Sequence, residues 1–64
     1  MQISLNGELV EAEAGFTMRE FLAAFGFEES VVVALDGEHF PRHKWSEKID
    51  SVQSVEVIAP MQGG

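Results

Sequence analysis

Few side chains in this 64-residue sequence have a type and spacing that could do chemistry. His39 and His43 lie four residues apart, which suits two metal ligands on one helix, but Pro41 between them argues against a helix and no third ligand lies nearby. The serines have no histidine placed to complete a recognisable triad, and there is no glycine-rich phosphate loop. The sequence therefore predicts no catalytic residue, no metal site and no bound cofactor.

The reactive group that remains is the carboxylate of Gly64, the last residue of the sequence. Gly63 and Gly64 carry no Cβ, so a tail that ends in them can enter a narrow active site in an extended form. The carboxylate is ionised at neutral pH, because an α-carboxyl group has a pKa of about 3.5, and it must be activated before it can acylate anything. ATP can convert it to an acyl-adenylate, which a sulfur or nitrogen nucleophile then attacks. We therefore expect a protein substrate of other enzymes and not an enzyme.

The sequence contains no cysteine. This excludes disulfide bonds, thiolate nucleophiles and cysteine-ligated zinc. Any sulfur chemistry must use another atom, and the carbonyl carbon of Gly64 is the one available.

Length and charge restrict the class of protein further. A chain of 64 residues forms one small domain, here residues 1–64. The formal net charge of -7 repels phosphate, which makes nucleic acid and anionic membranes poor partners. No signal peptide and no apolar run of membrane-spanning length is present, so we expect a cytoplasmic protein.

Two glycine turns and one capping box predict the secondary structure. Asn6-Gly7 joins two alternating runs, 1–5 and 8–13, and suits the type I′ turn of a hairpin. Thr17 and Glu20 fit a capping box at the start of a helix of about nine residues, closed by Gly26. The apolar stripe of this helix comprises Met18, Phe21, Leu22 and Phe25.

The second half of the chain predicts three extended segments. The apolar run 31–35 is expected to be an interior strand. Asp36-Gly37 is expected to form a tight turn, followed by a short returning strand that ends before Pro41. The stretch 42–49 is predicted to be a loop with a helical turn, in which Trp45 covers the end of the core. A last strand follows, with Val55 and Val57 facing the helix.

The order is hairpin, helix, hairpin and strand, written ββαββ, with one helix packed on a mixed sheet. A right-handed crossover lets the last strand insert centrally beside the first. This is the α+β architecture of the ubiquitin-like β-grasp fold. The strand residues expected to pack against the helix stripe are Ile3, Leu5, Val33, Leu35, Val55 and Val57.

Four segments together carry a family resemblance: MQISLNGE, TMREFLAAFG, VVVALDGEHFPRHKW and the ending VEVIAPMQGG. They resemble the ThiS family, the sulfur carriers of thiamine thiazole biosynthesis, over essentially the whole chain. The resemblance implies that Gly64 is adenylated with ATP by a ThiF-like enzyme and converted to a thiocarboxylate with sulfur from a cysteine desulfurase relay. A ThiG-like thiazole synthase then accepts the sulfur.

The resemblance also assigns roles to the tail. Pro60, Met61, Gln62 and Gly63 are expected to bind in the partner's active-site channel, and the tail is expected to be flexible from about residue 61. Two departures from the family concern turns: Val52-Gln53 stands where Gly-Asp is usual, and Asp36 where asparagine is usual.

The surface that docks on the activating enzyme is predicted to include Ile58 and Phe40, with Ile58 facing away from the helix. Three alternatives stay open. The protein could be a ubiquitin-like modifier joined to lysines, a carrier of the molybdopterin-synthase type, or an interaction module with an ornamental tail.

Overall fold

The structure is a computed structural model that describes residues 1–51 and 53–59. These residues form one helix and a five-stranded sheet. The elements are β1 (Gln2–Leu5), β2 (Glu8–Glu11), α1 (Met18–Ala24), β3 (Val32–Leu35), β4 (Glu38–His39) and β5 (Ser54–Ile58). A short 3₁₀ helix, Arg42–Lys44, lies between β4 and β5. The predicted order of hairpin, helix, hairpin and strand is confirmed, and it comprises five strands, one more than the notation ββαββ counts.

Both predicted hairpin turns are present. Asn6 and Gly7 have φ angles of 50° and 86°, and Asp36 and Gly37 have φ angles of 50° and 84°. Two successive positive φ angles are the mark of a type I′ turn, whose twist matches that of the strands it joins. The first hairpin is shorter than predicted, because β2 ends at Glu11.

The helix begins where the sequence predicts. The Glu20 backbone N–H donates to Thr17 Oγ1 at 3.1 Å, and the Thr17 N–H donates to Glu20 Oε1 at 2.9 Å, which completes the capping box. Gly26, with φ at 80°, allows the chain to turn away after the last helical residue. The helix has seven residues and is therefore shorter than the predicted nine.

The strand order is β2-β1-β5-β3-β4. β5 runs parallel to β1, with Leu5 opposite Val55, and antiparallel to β3, with Val33 opposite Val57. The last strand of the chain is therefore central, as predicted. One helix on this mixed sheet is the predicted β-grasp arrangement.

The core lies between α1 and one face of the sheet. Its buried residues are Ile3, Ala12, Met18, Phe21, Leu22, Val31, Val33, Trp45, Ile49, Val55 and Val57. Trp45 covers the core as predicted: its side chain is 2% exposed, and its indole N–H donates to the carbonyl oxygen of Phe40 at 3.1 Å. Leu5 and Leu35 are partly buried and pack against this cluster.

The prediction for Phe25 was wrong. Phe25 is the C-terminal cap residue and is 37% exposed. Although α1 ends at Ala24, the Phe25 N–H still donates to the Phe21 carbonyl oxygen at 3.2 Å, and the two ring centroids are 4.9 Å apart. Phe25 thus continues the helical stripe but lies at the rim of the core. Ile49, which the sequence did not single out, completes the core from the loop before β5.

The other face of the sheet carries no helix within the described residues. We call it the open face. Leu9, Val32 and Ile58 lie on it and are 69%, 49% and 63% exposed. The prediction that Ile58 faces away from the helix is confirmed. Among the described residues, no helix has the length and apolar character needed to cross a membrane.

Candidate functional site

The predicted reactive group, Gly64, lies outside the described residues, as do Pro60, Met61, Gln62 and Gly63. The predicted flexibility of the tail lies outside them too. The structure describes the base from which these residues continue, which is the end of β5 at Ile58 and the following Ala59.

The end of β5 is hydrogen-bonded along both of its edges. On one edge, Ile58 pairs with Val32 of β3. On the other edge, β1 ends at Leu5, and the next residue, Asn6, makes the hydrogen bonds to β5. The Asn6 backbone N–H donates to the carbonyl oxygen of Val55 at 2.9 Å. Asn6 Oδ1 accepts from the Val57 N–H at 2.8 Å. The strand is thus held almost to the point where the described residues stop.

The start of β5 is held by Asp36 in the other hairpin turn. The Asp36 N–H donates to the carbonyl oxygen of Ser54 at 2.7 Å, and Asp36 Oδ1 accepts from the Ser54 N–H at 2.8 Å. Asp36 Oδ2 accepts from Gln53 Nε2 at 3.3 Å, and Gln53 Oε1 accepts from the Asp50 N–H at 2.6 Å. Asp36 and Gln53 therefore contact each other.

An apolar pair lies on the open face beside the exit of the tail. Ile58 and Val32 are directly opposite each other on adjacent strands, so their side chains share a face. We call these two residues the open-face pair. Glu56, two residues before Ile58, is exposed and lies on the same face. The pair thus offers an apolar contact with an acidic neighbour.

Phe40 occupies a different position from Ile58. Its backbone N–H donates to the carbonyl oxygen of Val33 at 2.8 Å, which continues the pairing of β3 with β4 and puts Phe40 on the same side of the sheet as the buried Val33. Phe40 is half-buried and packs against the core. Ile58 and Phe40 therefore lie on opposite faces of the sheet, and their contact with an activating enzyme stays a prediction.

A charged cluster that sequence reasoning missed joins three segments on the helix side. Glu29 Oε1 accepts from Arg19 of α1 and, at 3.1 Å, from Arg42 of the 3₁₀ helix. The hydrogen bonds from Arg19 and then Arg42 lower the pKa of the Glu29 carboxyl below its usual value. The Arg19 guanidinium also lies 5.5 Å from the centroid of the Trp45 ring. Half of the four Lys and Arg residues thus meet one carboxylate.

The histidines lie on the surface. His39 and His43 are both exposed, in β4 and in the 3₁₀ helix. Across residues 1–51 and 53–59, no three His, Cys, Asp or Glu side chains come together in a way that could hold a metal ion.

A single helix on a mixed five-stranded sheet, with the last strand in the centre and leading to Gly-Gly, defines a β-grasp protein of the ubiquitin-like class. The model of the ThiS family matches residues 3–64, so the chain belongs to the ThiS family.

Solved structures agree with this assignment. The chain is similar to the crystal structure of the thiamine biosynthesis protein ThiS from Geobacter metallireducens, with 28% identity, full coverage of both chains and a TM-score of 0.81. It is also similar to the NMR solution structure of a thiamine biosynthesis protein from the same organism, with 28% identity, coverage of 100% of this chain and 88% of the other, and a TM-score of 0.80. No match was found among curated proteins.

Proposed function

We propose that this protein is a sulfur carrier of thiamine biosynthesis and that the carboxylate of Gly64 is its reactive group. The observation that carries the proposal is the ThiS family match, which spans residues 3–64 and so includes both terminal glycines. The likeness to solved ThiS structures supports it. A carrier role also suits a chain in which no described cluster of side chains could hold a metal ion.

The proposed chemistry first activates the Gly64 carboxylate and then replaces one of its oxygens with sulfur. A Gly64 carboxylate oxygen attacks the α-phosphorus of ATP in the active site of a ThiF-like enzyme, and pyrophosphate leaves. The terminal sulfur of a cysteine persulfide, supplied by a cysteine desulfurase relay, then attacks the carbonyl carbon of the acyl-adenylate, and AMP leaves. A second thiol of the relay attacks the cysteine sulfur of the acyl disulfide so formed, which makes a disulfide and releases the thiocarboxylate. The resulting thiocarboxylate donates its sulfur to the reaction of a ThiG-like thiazole synthase.

Two properties of the chain serve this chemistry. The sequence has no cysteine, so no thiol of the carrier can attack its own activated carbonyl. The strand β5 ends at Ile58, six residues before Gly64, and covalent geometry limits the reach of those six residues to about 21 Å. The partner must therefore bring its active site close to the end of β5.

The first test is ATP–pyrophosphate exchange by a ThiF-like enzyme in the presence of the full chain. The proposal predicts exchange that depends on this protein. Covalent conjugates on a denaturing gel after incubation with ATP and candidate target proteins would instead favour a ubiquitin-like modifier. Sulfur transfer to a molybdopterin-type synthase and not to a thiazole synthase would favour the other class of carrier.

We further propose that the open-face pair contacts the activating enzyme, with Phe40 as a second predicted contact at the β4 edge. Ile58→Asp is expected to weaken binding to the ThiF-like enzyme by about tenfold or more. The variant replaces an exposed apolar side chain with a carboxylate, which would lose its contact with water when the two proteins bind. The dissociation constant for the ThiF-like enzyme, measured by isothermal titration calorimetry, checks this.

Leu9→Asp is the matched control for Ile58→Asp. Leu9 lies on the same face and is similarly exposed, but its strand β2 is separated from β5 by β1. The Leu9→Asp variant adds the same charge to the same face and leaves the open-face pair intact. Equal weakening by both variants would show that added negative charge, and not the open-face pair, decides binding.

A further inference from the structure

The two hairpin turns of this protein use their first residue in the same unusual way. Asn6 and Asp36 both have φ at 50°, and each is followed by a glycine. In each case the side-chain oxygen of this residue also accepts a hydrogen bond from a backbone N–H of β5. One short side chain therefore serves both the turn and the central strand.

The two contacts lie at opposite ends of β5. Asp36 Oδ1 accepts from Ser54, the first residue of the strand, at 2.8 Å. Asn6 Oδ1 accepts from Val57, the second-last residue, also at 2.8 Å. Asp36 thus holds the end of β5 that is remote from the tail, and Asn6 holds the end from which the tail continues.

The contact from Asn6 replaces a missing strand partner. The pairing of β1 with β5 ends at Leu5 and Val55, three residues before β5 itself ends. Beyond that point the chain of β1 turns away, and the Val57 N–H would have no acceptor from the β1 backbone. Val57 is only 8% exposed and its hydrogen bond to Asn6 is partly buried, so an unpaired N–H at this position is unfavourable.

We propose that Asn6 is a positioning residue for the C-terminal tail: its side-chain oxygen fixes the β1 side of β5 as far as Val57, so that the chain leaves the sheet toward the partner's active site from a fixed point. This rests on the proposed function. Asn6 itself does not touch the reacting atoms. It acts through Val57.

The ordering of residues, and not the length of the tail, accounts for the expected effect. Without the Asn6 contact, the end of β5 would be held only by the pairing of Ile58 with Val32 of β3 and would fray more often. The added length of loose chain would matter little, because loop-closure entropy changes slowly with length. Each residue that the partner must newly order has a larger entropic penalty. The loss of one hydrogen bond limits how far fraying can go, which gives a rise of about threefold to tenfold in KM for adenylation.

Three variants test this on the full chain. Asn6→Gly keeps a residue that tolerates positive φ, so the turn survives while the side-chain acceptor is removed. Asn6→Asp keeps an acceptor oxygen and tolerates positive φ, and it is the rescue variant. Asp36→Gly is the matched control, because it makes the same kind of change in the other turn and releases the remote end of β5.

Two measurements are made on each variant: amide hydrogen exchange by NMR and the kinetics of ATP–pyrophosphate exchange with the ThiF-like enzyme. Asn6→Gly is expected to speed exchange at Val57 and to raise KM by about threefold to tenfold with kcat unchanged. Asp36→Gly is expected to speed exchange at Ser54 and to leave KM unchanged. Asn6→Asp is expected to match the wild type in both.

An unchanged KM in Asn6→Gly, or an equal rise in KM in Asp36→Gly, would overturn the proposal. Should Asn6→Gly fail to fold, the wild-type protein still decides, because a Val57 amide that exchanges freely there would contradict the contact. A wild-type protein that supports no ATP–pyrophosphate exchange would refute the proposed function. The exchange rates at Val57 and Ser54 would then still test the two contacts by themselves.

Discussion

Deletion of Gly64 is expected to abolish ATP–pyrophosphate exchange with the ThiF-like enzyme and to leave the fold intact. Removing one residue draws the terminal carboxylate back by about 3.5 Å. An in-line attack on the α-phosphorus needs the reacting atoms at near contact distance, so such a displacement removes the gain from positioning. The fold should survive, because β5 ends at Ile58 and the core residues all precede Gly64.

His43→Ala is the control for this deletion. His43 is exposed in the 3₁₀ helix, so its removal should leave the exchange rate and the unfolding temperature close to those of the wild type. Circular dichroism of the shortened protein checks that the fold is retained. Continued adenylation and sulfur transfer by the protein without Gly64 would refute the carrier assignment.

Leu22→Ala should lower the free energy of unfolding by roughly 2 to 5 kcal/mol. Leu22 lies on α1, is 2% exposed and belongs to the cluster between the helix and the sheet. The substitution removes apolar contacts and leaves a cavity that the short helix can fill only in part. A loss of this size is a large fraction of the stability of a small domain. Denaturation with urea, followed by circular dichroism, measures it.

Leu9→Ala is the matched control, because it makes the same chemical change at a leucine that is 69% exposed on β2. Its effect should stay within about 1 kcal/mol, as is usual for surface positions. If the two variants unfolded at the same urea concentration, the assignment of Leu22 to the core would be wrong.

Much of the fold could be predicted because its signals are local. Asn6-Gly7 and Asp36-Gly37 demand positive φ angles, and Thr17 with Glu20 satisfies the first free N–H groups of a helix. The failure at Phe25 has a physical cause. Periodicity extends a stripe to i+7, but the helix ends at Ala24, so Phe25 lies at the rim of the core and is 37% exposed.

For the candidate site, the sequence points to a terminal residue, and this stays a prediction. The Gly-Gly ending and the family resemblance point to Gly64 from the sequence alone. The contacts that hold β5 do not appear in any local pattern, because Asn6 meets Val57 and Asp36 meets Ser54 only after the last strand has inserted into the sheet. The sequence pattern predicts which strands are neighbours, but it does not predict which side chain of a turn will complete the hydrogen bonds of those strands.

The central claim is that Gly64 carries sulfur, and the most direct test is the intact mass of the protein isolated from its native cell. The account predicts a fraction whose mass has risen by the replacement of one oxygen with one sulfur, and fragmentation should locate the change to the C-terminal residue. The change should disappear after alkaline hydrolysis of the thiocarboxylate. A protein with only an unmodified carboxylate under conditions that demand thiamine synthesis, or one joined through Gly64 to lysines of other proteins, would contradict the account.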